Sequence, residues 1–501
     1  MPPRLGLWIA PICLAAVAFS LNAQPPAVYL RLTDALTLDP GKYQDFYSGE
    51  VIANIFEGLV RLQKNAIAVE AALAERWEVK DRGRRWIFFL RRGVRFHDGR
   101  PFDSRAVVYS FKKRMEKKEG EYRTWGLFFP YISAIRSLDD FSVEILLSRP
   151  YHSFLFALVD PRSYIVEENA YAAPEFKPVG TGPFRFMEWV RNRHLVLSPN
   201  PQYWGGEPHL GKIRFQFEPD AAKRMTELKN DSAQISVIRS AREFEELVGR
   251  KDIAILSKPS LSTHYLAFNS RREPFNRLPV RQVFAHLIEK KGMVRRVFQN
   301  FASPASSLLP EGIFGFSPLI DDSSFDPQAA RRLLNDAGLK RGFVCTLFIS
   351  EGQFGIEEIA KILSRNARNL NTTVKVIKLP FPVFLRAIQS GDADMFIAGW
   401  GFTVDPGIFL NPLFLFAGKS DAHQLYRNPR LDDALTQAEQ SLVPVEQEKW
   451  YVAAQQIIRA DLPLIPLFHL NDMVAHSRRI KSLGMNAFGY LLFRDAFWET
   501  R

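Results

Sequence analysis

The stretch WIFFLRRGVRFHDGRPFDSRAVVYSF, residues 86–111, divides into three physical pieces. Trp86, Phe88 and Leu90 alternate with Ile87 and Phe89 in a run of β-formers, which predicts a well-buried strand. Asp98-Gly99 is a tight-turn dipeptide, and Pro101 follows it. Asp103 or Ser104 can cap what comes next. Val107, Val108 and Phe111 then recur at helical spacing, so the last piece reads as a helix. Strand, turn and capped helix define an α/β unit.

Outward from this unit the same alternation continues. Towards the N-terminus lie a short strand over 28–32, the turn Leu38-Asp39-Pro40, and apolar residues at helical spacing over 51–59. Towards the C-terminus, strands are expected over 132–135 and 141–147 about the Asp139-Asp140 turn, and a helix over 154–159. Pro178-Val179-Gly180-Thr181-Gly182-Pro183 is too rich in turn residues for a helix or a central strand. Strand 213–217, helix 221–228 and strand 235–238 follow. Asp326 caps a helix that ends at Gly338. Strands over 344–350, 373–378 and 394–398 then alternate with helices over 356–369 and 384–389. That order implies a largely parallel sheet covered on both faces, whose ligands bind beyond the carboxyl ends of its strands. The last of these strands runs directly into Gly399-Trp400.

The chain has 501 residues, too many for one hydrophobic core, so two or three domains are expected. Hydrophobic residues make up 47% and charged residues 24%, an ordinary balance for a soluble globular protein. The net charge of +12 would suit a nucleic-acid binder, but Lys and Arg are dispersed beside Asp and Glu. The block Lys112-Lys113-Arg114 falls on the predicted helix, where a solvated face is its reading, so no nucleic-acid partner is expected. Two cysteines exclude a disulfide scaffold and show no zinc spacing. Arg4, a mostly apolar run over 5–21 and the small residue Ala23 read as a cleaved signal peptide, residues 1–23, rather than a membrane anchor. Cys13 follows Ala-Pro-Ile, which is not the context of a lipidated cysteine, so a soluble periplasmic protein is expected rather than a lipoprotein. The mature chain would keep only Cys345.

The wording of these segments resembles the extracellular solute-binding proteins of family 5, the oligopeptide, dipeptide and nickel class that feeds ABC importers. The resemblance rests on Leu38-Asp39-Pro40 with Glu57-Gly58-Leu59, on Leu73-Ala74 with Trp77-Glu78, and on Gly93 to Gly99. It continues through Gly180-Thr181-Gly182-Pro183, Asn200-Pro201-Gln202-Tyr203-Trp204-Gly205-Gly206 and Val280-Arg281-Gln282. Asp461-Leu462-Pro463-Leu464-Ile465-Pro466-Leu467 completes the order, and Glu289 stands where the family usually has Asp or Asn. The resemblance implies an α/β fold of the periplasmic-binding-protein type II (cluster C), with two lobes, a hinge between them and an inserted extra domain. Lobe I would comprise residues 24–60, 179–262 and 478–501, the inserted domain II residues 61–178, and lobe II residues 263–477. It further implies a monomer without cofactor or catalysis. Such a protein captures a peptide or peptide-like solute and delivers it to a membrane permease with its ATPase subunits.

By the same resemblance, the ligand site centres on Trp400-Gly401-Phe402-Thr403-Val404-Asp405-Pro406. Peptide-binding members carry an aspartate three residues after the Trp, where it pairs with the peptide ammonium. Thr403 occupies that position here, and the loop to Asp405-Pro406 is one residue shorter. Either Asp405 takes the ammonium, or it caps the next helix and the ligand has no free amino terminus there. Trp400, Phe402, Thr403 and Asp405, with Tyr47 and Tyr265, form the candidate ligand set. A nickel- or metal-chelate-binding or other non-peptide solute-binding protein of the same fold is the alternative; His423, His469 or His476 would support the metal form, although none shows metal-ligand spacing. An enzyme is disfavoured because no Gly-x-Ser-x-Gly elbow, His-Glu-x-x-His or phosphate loop occurs. A transcriptional sensor would need a DNA-binding domain where the signal peptide stands.

Overall fold

A computed structural model describes residues 26–499, apart from 44, 65, 117–130, 152, 173–174, 300, 318–324, 402, 415–425 and 442. The expected signal peptide, Phe402 and His423 therefore lie outside the described residues.

One strand organises the rest. Leu464–Ser477 is 14 residues long and belongs to both halves of a twelve-stranded sheet. Its first part pairs antiparallel with Ser262–Phe268, and its second part with Ile253–Pro259 and Ile235–Val237. The paired segment 253–268 is itself interrupted at Ser260, so two strands cross side by side between the halves. In one half Val344–Ser350 runs parallel to both Thr373–Leu379 and Met395–Gly401. In the other, Ala27–Arg31 runs parallel to both Ile213–Phe217 and Ile235–Val237. Each half thus has its own set of carboxyl ends, the edge at which sheets of this kind bind ligands.

The opening stretch forms a separate unit. Arg85–Leu90 is an inner strand of a four-stranded antiparallel sheet with Ala74–Lys80, Ser142–Leu147 and Ile132–Asp139. Trp86, Phe88 and Leu90 are buried, and the Trp86 and Phe88 rings stack with centroids 6.3 Å apart. The helix Ser104–Met115 is capped by Asp103, whose carboxylate accepts the Arg105 N–H at 2.9 Å.

His97 ties this unit to the glycine-rich turn. Its backbone N–H donates to the Gly180 carbonyl at 2.9 Å, and its Nδ1 accepts the Gly180 N–H at 3.3 Å. Its Nε2–H donates to the Gly182 carbonyl at 3.0 Å. Burial pushes the imidazole pKa down to about 4, so the ring is neutral and can serve as donor and acceptor at once. The turn lies directly against the end of the helix Phe46–Ile55: a Cβ at Gly180 or Gly182 would stand 2.2 or 2.6 Å from the Ile55 carbonyl oxygen.

That contact also explains why the helix differs from its sequence pattern. The spacing of apolar residues extends to Leu59, but the helix stops at Ile55. The Ile55 carbonyl accepts the Gly182 N–H, and the carbonyls of Gly58 and Leu59 accept N–H groups of Leu73, Ala72 and Ala74. Pairing with a distant segment replaces the last helical turn. Glu57 is left buried, accepting from Thr181 Oγ1 at 2.9 Å, Tyr203 Oη at 2.7 Å and Trp204 Nε1 at 2.8 Å.

One apolar cluster is continuous from Trp86 and Phe88 through Phe154 to Phe409, Leu410 and Tyr451. The unit built on the opening stretch therefore packs against the segment that follows Met395–Gly401. Among the described residues no helix is long and apolar enough to cross a membrane.

Candidate functional site

Met395–Gly401 lies between Val344–Ser350 and Ser262–Phe268, with Trp400 paired to Thr263. At the next residue the backbones close in so far that a Cβ on Gly401 would stand 2.1 Å from the Leu261 carbonyl oxygen. Only glycine allows the chain to leave the sheet here. The Trp400 ring is half-buried, and its Nε1–H donates to the Phe409 carbonyl at 2.8 Å. Thr403 Oγ1 accepts the N–H of Asp405 at 3.1 Å, which closes a short turn.

Asp405 has no exposed surface. Its Oδ1 accepts the N–H groups of Gly407 at 2.7 Å and Ile408 at 3.0 Å, so it caps the helix Pro406–Phe414. Its Oδ2 accepts the Tyr151 hydroxyl at 2.6 Å. Both oxygens are engaged. Burial pushes the carboxyl pKa up to about 6, against the pull of these three hydrogen bonds, and nearby Glu439 adds to the rise.

Two further candidates lie outside this turn, with Tyr265 on the neighbouring strand opposite Ala398. Tyr265 is buried in the apolar cluster, and its hydroxyl has no hydrogen-bond partner among the described residues. Beside it is a small void of about 20 Å³ lined by Phe396, Leu413 and Tyr426. Tyr47 stands in the other half of the molecule, in the first turn of Phe46–Ile55. The Arg31 guanidinium lies over its ring, 4.7 Å from the centroid. Arg31 ends the strand Ala27–Arg31, is fully buried, and faces Glu50 at 3.5 Å. Arg239, just beyond Ile235–Val237, faces Asp472 at 4.0 Å. Burial lowers the Arg239 pKa, but Asp472 and Tyr47 outweigh it and the net shift is upward. Burial pushes Asp472 up to about 6.

Trp400, Thr403 and Asp405 share one turn, whereas Tyr47 sits with Arg31, Arg239 and Asp472 at the carboxyl ends of the opposite half-sheet. Tyr151 was not singled out, and nothing local marks it, because its partner lies 254 residues away. Arg31 could have been noticed as a charge closing an apolar strand. A pocket of about 90 Å³ lies elsewhere, bordered by Asn54, Glu57, Arg61, Tyr203, Met485 and Arg494, and none of the candidate residues lines it.

No group of three or more His, Cys, Asp or Glu among the described residues could hold a metal ion. His469 Nδ1 donates to the Ser262 carbonyl at 3.2 Å, and His476 Nδ1 to the Ser477 carbonyl at 2.9 Å.

Two α/β half-sheets that share crossing strands, with a turn bearing an aromatic residue at the carboxyl edge of one, define a bilobal solute-binding fold of the periplasmic type II class. The chain belongs to the bacterial extracellular solute-binding proteins, family 5, whose middle-region model matches residues 68–421. It is 26% identical over 474 residues to heme-binding protein A of Haemophilus influenzae, covering 89% of this chain and 86% of that protein. The structure of HbpA2 from Haemophilus parasuis superposes with a TM-score of 0.87 at 24% identity, over 95% of this chain and 100% of that one, a likeness of fold. The ABC transporter-associated periplasmic binding protein DppA from Helicobacter pylori, in complex with the peptide STSA, gives 0.80 at 25% identity, over 95% and 98%.

Proposed function

We propose that this protein captures a peptide or peptide-like small solute between its two lobes and delivers it, chemically unchanged, to the membrane permease of an ABC importer. Trp400 carries the reading: a half-buried indole held at the carboxyl end of a strand in a mixed rather than largely parallel sheet, in a family of solute-binding proteins. Trp400, Phe402 and Thr403 would meet the solute from residues 263–477. Tyr47 would meet it from the lobe formed by residues 24–60, 179–262 and 478–501, with 61–178 as the inserted domain and Tyr265 supporting the Trp400 strand from behind. Closure about the crossing strands would then present a solute-dependent surface to the permease. Export by the signal peptide 1–23, a periplasmic location, a monomeric state and the absence of catalysis belong to the same reading.

Asp405 refines it. With Thr403 in place of an aspartate and both Asp405 oxygens engaged, this loop offers no free carboxylate to a peptide ammonium. The test is calorimetric titration with a panel of short peptides and their N-acetyl forms. The reading predicts that blocking the amine changes the dissociation constant by less than about threefold, well under the 1.4 kcal/mol of a tenfold change. A loss of about a hundredfold would show that a carboxylate does meet the ammonium. The same feature favours, as a second reading, a non-peptide solute without an amino terminus; failure of the whole panel to bind would select it.

A further inference from the structure

The inserted unit carries none of the candidate solute-binding residues, yet it packs against the turn that carries most of them. Two side chains make the connection. Tyr151, 4% exposed, donates its hydroxyl to Oδ2 of Asp405 at 2.6 Å. Arg149 pairs with Glu439 at 3.0 Å, and Glu439 in turn accepts the side-chain N–H of Asn411. Asp405 and Asn411 belong to the same short segment, the cap and the second turn of the helix Pro406–Phe414. That helix holds the Trp400 indole through the Phe409 carbonyl. The path from Tyr151 to the Trp400 ring therefore has three hydrogen-bonded steps and crosses no exposed group.

The chemistry makes the first step consequential. A carboxylate without exposed surface must satisfy each oxygen within the protein, because no water reaches it. The helix amides satisfy Oδ1, and among the described residues only Tyr151 is bonded to Oδ2. Without that hydroxyl, the carboxylate gains by turning or moving towards solvent. It would then release the cap, and with it the orientation of the helix that holds Trp400.

We propose that Tyr151, seconded by Arg149, is a positioning residue, through which the inserted domain sets the binding turn and the orientation of Trp400. Its consequence for binding rests on the reading that Trp400 meets the solute. The test is made without solute, so its outcome is separate from that reading.

The full chain is labelled with 5-fluorotryptophan, and the Trp400 resonance is assigned from Trp400→Phe. Tyr151→Phe, which keeps the ring and removes only the hydroxyl, is compared with Val143→Ala, a core truncation in the same unit that removes none of these hydrogen bonds. The proposal expects Tyr151→Phe to shift or split the Trp400 fluorine signal. It also expects the backbone amides of Gly407 and Ile408, which the cap holds, to exchange at least about tenfold faster. Val143→Ala should lower the melting temperature while leaving both readouts unchanged, and Asp405→Asn, which keeps a capping oxygen, should retain most of the protection. The proposal is overturned if Tyr151→Phe leaves both readouts as in the parent protein, or if Val143→Ala moves them equally.

Discussion

The indole N–H of Trp204 meets the Glu57 carboxylate at 2.8 Å, across 147 residues of sequence. Tyr203 and Thr181 converge on the same group, so three separate motifs are joined through one buried acid. Burial raises its pKa, and the three donors pull the other way. Glu57→Ala would leave these donors without an acceptor. Hydrogen bonds to charged groups contribute about 1.5–3 kcal/mol each, with strong non-additivity, so a loss of about 3–5 kcal/mol is expected in urea unfolding followed by circular dichroism. Glu57→Gln, which keeps an acceptor, should lose less than half of that.

Gly182 lies where a Cβ would stand 2.6 Å from the Ile55 carbonyl oxygen and 2.7 Å from its carbonyl carbon. Those atoms are backbone and cannot yield as a flexible side chain would. Gly182→Ala should therefore destabilise the protein by about 2–4 kcal/mol, read from the same unfolding curves. Gly99→Ala provides a contrast: nothing lies within 4 Å of its Cβ position, and its cost arises only from a positive φ of 88°. About 1–2 kcal/mol is expected there.

His97 should titrate far below an ordinary histidine. Burial lowers its pKa to about 4 in the folded protein, against 6.5 as the reference value. The unfolded chain then binds the proton more readily, so this group's share of stability is complete above about pH 6.5 and is lost as pH falls towards 4. His97→Gln should flatten the acid limb of the stability profile relative to the parent. An imidazole that titrates near 6.5 by NMR would contradict the buried, neutral assignment.

Asp405 carries the opposite sign. Its folded pKa is raised to about 6, so protonation favours the native state as pH falls from above 6 towards 4. The groups around it are Tyr151, Glu439, Tyr131 and Tyr451, together with the amides of Gly407 and Ile408. The stability of the parent relative to Asp405→Asn should rise by about 2–3 kcal/mol between pH 8 and pH 4. A difference that is flat across this range would mean that the carboxyl is not buried.

Much of this architecture could be read before any coordinates, and the reasons are local. Strands 213–217 and 344–350 were expected at the bounds they have, because each is a short β-branched and aromatic run closed by turn residues. The helix Pro327–Asp336 likewise carried both its signals, Asp326 as cap and Gly338 beyond its end. The reading failed where a distant partner decides the geometry. Residues 56–59 keep a helical pattern but are drawn out straight by pairing with 72–74 and by the Gly182 turn. At the candidate site, the sequence marked Trp400 and the missing aspartate at Thr403, and it left open whether Asp405 caps a helix. It could not place Tyr151 on that carboxylate or Arg31 beneath Tyr47, since side chains that meet across the fold leave no periodic trace.

The central claim is that the two lobes enclose a solute, return it unchanged, and hold it against Trp400. The most direct measurement strips the purified protein of bound material by reversible unfolding and offers it the low-molecular-weight fraction of a cell extract. The complex is then weighed by native mass spectrometry, released and identified. The account predicts one solute per chain, identical in mass before and after, and retention weakened by about 30-fold in folded Trp400→Ala, the effect of losing one aromatic hot spot. Recovery of a chemically altered molecule, or equal retention by Trp400→Ala, would contradict it.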